Sequence, residues 1–166
     1  MKKQFLYSRS QLFWLVALRV LIGWHFLYEG LVKLFNSGWT AYPYLMDSQG
    51  FLSSFYQYMA SIPTALSIVN FLNIYGLIFI GLGLILGCFS RGASIGGIII
   101  LCFYYLSHPP FIGSGYMMPA EGSYLWIDKN IIEIAALMVL IYFPTSYIIG
   151  LDRFIFCKCF KQTKSI

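Results

Sequence analysis

The sequence predicts an all-α integral membrane protein. The expected architecture is a four-helix transmembrane bundle, both termini cytoplasmic (N-in/C-in), with an amphipathic helix in an outer loop. Three observations predict it. Four apolar segments of helical length follow one another along 166 residues. Charged residues make up 10% of the chain and hydrophobic ones 59%, with a mean hydropathy of +0.73, whereas soluble domains carry about 25% charge. The basic residues are also segregated along the chain in the manner of the positive-inside rule. Residues 1–166 read as one membrane domain, with helices expected at about 12–35, 64–87, 93–108 and 128–147 and a basic tail at 151–166.

The first helix is the most informative. Leu12 to Phe35 is long enough to cross a bilayer, for which about 20 apolar residues suffice, yet it carries Arg19, His25, Glu29 and Lys33. At about 100° per residue, His25, Glu29 and Lys33 fall within roughly 80° of one another, with Arg19 on the Lys33 side. Gly23 and Gly30 share the Arg19 side. A charged stripe at membrane depth is costly unless it faces a bundle interior or a cavity. The lysines and arginine ahead of this helix, Lys2, Lys3 and Arg9, resemble a signal-peptide start. Arg19 interrupts the apolar run and no small-residue cleavage site follows, so the segment reads as an uncleaved anchor.

After Phe35, Asn-Ser-Gly-Trp is turn chemistry and Pro43 disfavours a continuing helix. Phe51, Phe55, Tyr58, Met59 and Ile62 recur at helical spacing. They fit a short helix lying on the membrane surface or, equally, a loop packed on the bundle. Pro63 suits the first turn of a second, uncharged helix. Asn70 and Asn73 near its start are expected to bond across helices or to reach the polar site. The connection Cys88 to Gly92 is tight. The third helix has small residues at Gly92/Gly96 and Ala93/Gly97, a spacing for close packing, and stops at His108-Pro109-Pro110. Asp128 is placed to cap the last helix, and Pro144 to kink or end it.

Eight of the eleven lysines and arginines lie in the N-terminal segment, the Arg91 turn or the tail. The two long loops carry none. This asymmetry puts both termini and the Arg91 turn in the cytoplasm. Lys33 and Lys129 stand at the outer end, against the rule. Each has an acid at i±4 spacing, Glu29 and Glu133. The polar-pocket candidates are therefore Arg19, His25, Glu29, Lys33, His108, Asp128, Lys129, Asn130 and Glu133. No catalytic residue is assigned and no metal site is expected. The residues leave two readings open: a charge cluster that fixes the helix register, or a polar pocket for a small ligand, a quinone headgroup or protons. Arg19, with no acid near it on its own helix, is expected to use carbonyls, a neighbouring Asn or Tyr, or to snorkel inward.

Function classes are narrowed by what the chain lacks. A membrane thiol–disulfide oxidoreductase needs an outward cysteine pair, but Cys88 and Cys102 lie in or beside helices and Cys157 and Cys159 in the tail. His25 and His108 sit too far apart in height for joint haem ligation. No haem, flavin, nicotinamide or iron–sulfur signature is present. Membrane lipid is an expected partner and nucleic acid is not.

Arg19, Gly23, Phe26, Gly30 and Lys33, in the pattern Arg-x3-Gly-x2-Phe-x3-Gly-x2-Lys, resemble the opening of the DoxX family. Gly83 to Arg91 (GLILGCFSR) is similar to that family's Gly-rich second helix and basic turn. Tyr104 to Pro110, followed by EGSYLWIDKNIIE, is similar to the late part of DoxX-like proteins. The resemblance spans roughly residues 12–145. It implies a small four-helix membrane protein of bacteria or archaea, here of a bacterial inner membrane, with a redox association, since the family includes relatives of a subunit of an archaeal thiosulfate:quinone oxidoreductase. Two functions follow as expectations. One is a quinone-linked, redox-associated membrane subunit, with quinone as ligand and a periplasmic or membrane redox protein as partner. The other is a non-catalytic anchor or assembly partner for a periplasmic or cell-envelope enzyme.

Overall fold

A computed structural model describes residues 7–110, 115–117 and 125–155. Cys157, Cys159 and most of the basic tail lie outside the described residues. Among those described, every regular element is helical. Three helices are long and apolar enough to cross a membrane: α1 (Arg9–Phe35), α4 (Pro63–Leu86) and α5 (Ser90–Ser107). Between α1 and α4 lie two short helices, α2 (Tyr42–Met46) and α3 (Ser53–Ser61). The next helix, α6, covers Lys129–Tyr142, and residues 152–155 are again helical.

Local chemistry sets the ends. α1 begins earlier than its apolar run because Ser8 and Gln11 form a reciprocal cap: the Ser8 hydroxyl accepts from the Gln11 amide at 3.2 Å, and the Ser8 amide donates to the Gln11 side chain at 3.0 Å. Pro63 occupies the first turn of α4, where a missing N–H is harmless. α4 contains a π-helical turn, Leu72–Gly76, which the sequence does not announce. It ends at Gly87, whose φ of +63° suits a residue without a Cβ. α6 stops at Tyr142, short of the expected 147, because Pro144 cannot continue it. Its 14 residues rise about 21 Å, less than the ~30 Å of a hydrocarbon core.

Glycines bring α1 and α4 into backbone contact. A Cβ on Gly81 would stand 2.5 Å from the Leu27 amide nitrogen, and one on Gly23 or Gly30 would stand 3.0 Å from the amide nitrogen of Ile85 or Ile78. In lipid, where apolar surface gains little by pairing, such close packing is what holds helices together. In α5 it is the Ala93/Gly97 pair that packs. Ala93 lies against Gly83, and Gly97 makes room for Phe26 and Leu137. Gly92 faces open space, so the Gly92/Gly96 spacing is not a helix contact at both positions. The buried core is Ile22, Phe26, Leu77, Ile80, Leu84, Leu101, Leu137 and Leu140, drawn from all four long helices. A second cluster, Ala41, Leu45, Tyr56 and Ala60, joins α2 and α3 to Leu66, Val69 and Leu106 at the end where α1 stops. The expected surface stripe of the loop is exposed at Phe51, Phe55 and Tyr58, while Tyr56 and Ala60 pack inward. Phe13, Trp14, Leu21, Phe79, Ile99 and Phe103 are exposed on the helix flanks, as lipid-facing residues are.

Candidate functional site

The sequence-predicted polar residues divide mainly between two centres, one beside the middle of α1 and one near its C-terminal end. Arg19 and Lys33 are 14 positions apart, about 21 Å along the helix.

The Arg19 centre is a structural latch. Arg19 is 3% exposed and does not snorkel. Its Nη1 donates to Thr145 Oγ1 at 3.0 Å and its Nη2 to the Ile149 carbonyl at 2.8 Å. The chain returns here after Pro144. The Leu151 and Asp152 amides donate to the carbonyls of Leu86 and Gly87 at 3.0 and 2.9 Å. The Asp152 carboxylate then accepts from the Phe89 amide at 2.7 Å and from the Ser90 amide and hydroxyl at 3.3 and 3.4 Å. Phe89 holds a left-handed backbone (φ +49°) and gives α5 no side-chain cap of its own, so Asp152 supplies one. Thr145 and Asp152 carry no signal in the sequence beyond their nearness to Pro144 and the basic tail.

The other centre forms around Lys33. Its ammonium is 3.8 Å from Glu29 Oε2 and donates to the Tyr104 hydroxyl at 3.3 Å. It lies 5.3 Å from the Trp39 ring centroid and 5.5 Å from that of Tyr104, distances at which a ring face attracts a cation. Tyr104 in turn donates a short hydrogen bond to Asn73 Oδ1. Asn73 belongs to the π turn of α4, and such turns recur at functional sites. Asn70 instead ties α4 to the loop, accepting from the Ala41 amide at 2.8 Å. Lys33 is also within electrostatic reach of Lys129, and Glu133 within reach of His25, Lys129 and Glu29. Five predicted residues thus converge here: His25, Glu29, Lys33, Lys129 and Glu133. Asp128 and Asn130 sit at the head of α6. Asp128 caps it by accepting from the Ile131 amide at 3.0 Å, and Asn130 donates to Asp128 at 2.6 Å.

His108 belongs to a lid beside this centre. Its ring stacks on Tyr44 at 4.0 Å and lies 4.7 Å from Tyr116. Its Nε2 is 3.7 Å from Asp47 Oδ2, the carboxylate oxygen that also accepts from the Met117 amide at 2.9 Å. Burial pushes the His108 imidazole below its ordinary value, with Asp47 pulling the other way. Burial, reinforced by the neighbouring tyrosines, pushes the Tyr44 phenol well up. Tyr44 is therefore a neutral donor to the Tyr104 carbonyl at 3.3 Å, which links the lid to the Lys33 centre. Sequence reading missed Trp39, Tyr44, Asp47 and Tyr104 as site residues. The recurrence of aromatics near Lys33 and His108 was the available signal.

The chemical capacity of the Lys33 centre is to donate hydrogen bonds to a carbonyl or hydroxyl oxygen between aromatic walls, with two carboxyls and an imidazole at hand for protons. Among the described residues no three His, Cys, Asp or Glu side chains group as a metal site would. Cys88 and Cys102 are unpaired.

No match was found among curated proteins or among solved structures. The model of the DoxX family matches residues 14–109, a stretch that holds most of α1 with its Arg19 and Lys33, the loop helices, the glycine-packed α4 and the whole of α5. On that match the chain belongs to the DoxX family.

Proposed function

We propose that this protein is a quinone-linked, redox-associated membrane subunit of the bacterial inner membrane, with a polar pocket in its outer half at Lys33. The observation that carries this reading is the setting of the Lys33 ammonium, mostly covered, between Trp39 and Tyr104 and beside Glu29. A quinone headgroup needs flat apolar walls, a donor to a carbonyl oxygen and a proton source. Trp39 and Tyr104 offer walls, Lys33 offers the donor, since the Tyr104 proton is held by Asn73, and Glu29, Glu133 and His25 offer protons. Electron carriers would come from a partner protein, as the chain has no signature for one of its own. In this reading α6, extended by the residues after Pro144, makes a fourth crossing, and both termini are cytoplasmic.

The test is photolabelling. An azido-quinone with a long isoprenoid tail, illuminated with the protein in lipid nanodiscs, should mark peptides containing Trp39 or Tyr104. Excess unmodified quinone should compete, and Lys33→Met should weaken labelling at least fivefold. Labelling no greater than that of a lipid azide would reject the reading.

One observation favours the anchor reading as well. Phe51, Phe55 and Tyr58 stand exposed on the α2–α3 cap, an apolar patch that would suit an enzyme docking at the outer surface. If Phe51→Ser with Tyr58→Ser leaves quinone labelling intact but releases a co-purifying enzyme, the cap serves assembly.

A further inference from the structure

We propose that the Lys33 centre opens sideways into the bilayer, through a cleft between α1 and α6, and so selects a ligand that arrives from the lipid phase: an amphiphile with a compact oxygen-bearing headgroup and a long apolar tail. This rests on the quinone reading above and names how that ligand reaches the site.

The first argument is the roof. Lys33 lies two residues from the end of α1, where a lysine would ordinarily reach water. It is instead 15% exposed. Trp39 covers it, Tyr44 buttresses Tyr104, and the cluster of Ala41, Leu45, Tyr56 and Ala60 closes the end of the bundle above. The cap thus covers the aqueous approach directly above Lys33.

The second argument is the flank. Moving from Lys33 towards the middle of α1, exposure rises rather than falls. Glu29, one turn and about 6 Å deeper, has a side chain 50% exposed. His25, a further turn down, is exposed too. A spanning helix normally hides its polar middle and wets its polar end; here the order is reversed. Glu133 of α6 faces the same gap and feels both His25 and Glu29. The floor is closed where Phe26 and Leu137 meet over Gly97. Trp24 and Tyr28, exposed on α1, and Ile132, exposed on α6, place lipid-facing apolar surface along the two lips. The result is a polar slot covered above Lys33, with a packed floor and an open lipid side. A headgroup can lodge there against Glu29 and Lys33 while its tail stays in the acyl chains; a tailless, water-borne ligand has no comparable route.

Carbodiimide labelling tests the access route independently of what binds. The carboxyl oxygen adds to the carbodiimide carbon while the proton goes to nitrogen, and oxygen-to-nitrogen acyl migration leaves a stable N-acylurea with no atom lost. With the protein in nanodiscs, a lipid-soluble dialkyl carbodiimide should modify Glu29 at least tenfold faster than a cationic, water-soluble one, read by peptide mass spectrometry. Glu29→Gln should remove that mass shift. Faster reaction from water, or reaction with neither reagent, overturns the lateral opening. The two proposals fail separately. Lipid-side labelling of Glu29 that no quinone slows sustains the opening and counts against quinone. Quinone photolabelling at Trp39 with Glu29 reactive only from water does the reverse.

Discussion

Arg19 and Ile149, 130 positions apart, are joined by a hydrogen bond of 2.8 Å from the guanidinium to the carbonyl. The same guanidinium holds Thr145, so one planar fork pins the segment after Pro144 to α1. A lysine keeps the charge but not the fork. Arg19→Lys should therefore lower stability by about 1.5–3 kcal/mol, the worth of a hydrogen bond to a charged group. A thermal melt in detergent measures it; an unchanged melting temperature would mean that the latch adds nothing.

Glycine substitutions should separate packed from open positions. Gly81→Ala drives a methyl into the Leu27 backbone and should cost about 1–3 kcal/mol or more, as overpacking does. Gly92→Ala meets nothing within 4 Å and should be neutral or slightly stabilising, because alanine is the better helix former. Equal effects at the two sites would contradict the close approach of α1 and α4.

The lid should weaken in acid. Because burial lowers the folded-state affinity of His108 for a proton below its ordinary value of 6.5, the unfolded chain takes the proton first as pH falls. Stability is full above the unfolded value, declines as pH drops through about 6.5 towards the lower folded value, and loses nothing further from this group below it. His108→Gln should flatten that part of the melting-temperature profile between about pH 7.5 and 5.5. A wild-type profile level over that range would refute the expectation.

Charge pairing at the head of α6 is open to a double-mutant cycle. If Lys129 and Glu133 support one another, Glu133→Gln and Lys129→Gln should each destabilise more than half as much as the pair together, with a coupling of about 0.5 kcal/mol or more. Simple additivity would show that they act separately.

Topology follows from labelling in a cysteine-free background. Cysteines placed at Ser53 and Ser114 should react from outside the cell and one at Ser165 only from inside. External reaction at Ser165 would mean three crossings, with α6 not spanning.

Much of this architecture is legible in residue order because its causes are local. Pro63, Gly87, Pro109 and Pro144 punctuate the helices through backbone sterics that need no tertiary context. Five residues of the Lys33 centre announce themselves because charge in an apolar helix has to be accommodated. The partners of Arg19 are not legible, since a backbone carbonyl carries no residue type and Ile149 looks like any apolar residue. The π turn that brings in Asn73 has no sequence signature. The pairing of His108 with Asp47 joins two loops whose approach depends on the whole bundle. Even where the sequence marks small residues, it does not say which of them meet a neighbour, as Gly92 shows.

The Asp152 cap has a consequence for how the chain is made. The Ser90 amide is synthesised 62 positions before the carboxylate that satisfies it. Until Asp152 is made, the Ser90 amide at the head of α5 lacks this acceptor. Closure waits for the strip beyond Pro144 to emerge and dock. Nascent chains halted before Asp152 would keep the glycine contacts of α1 and α4 and lack this one.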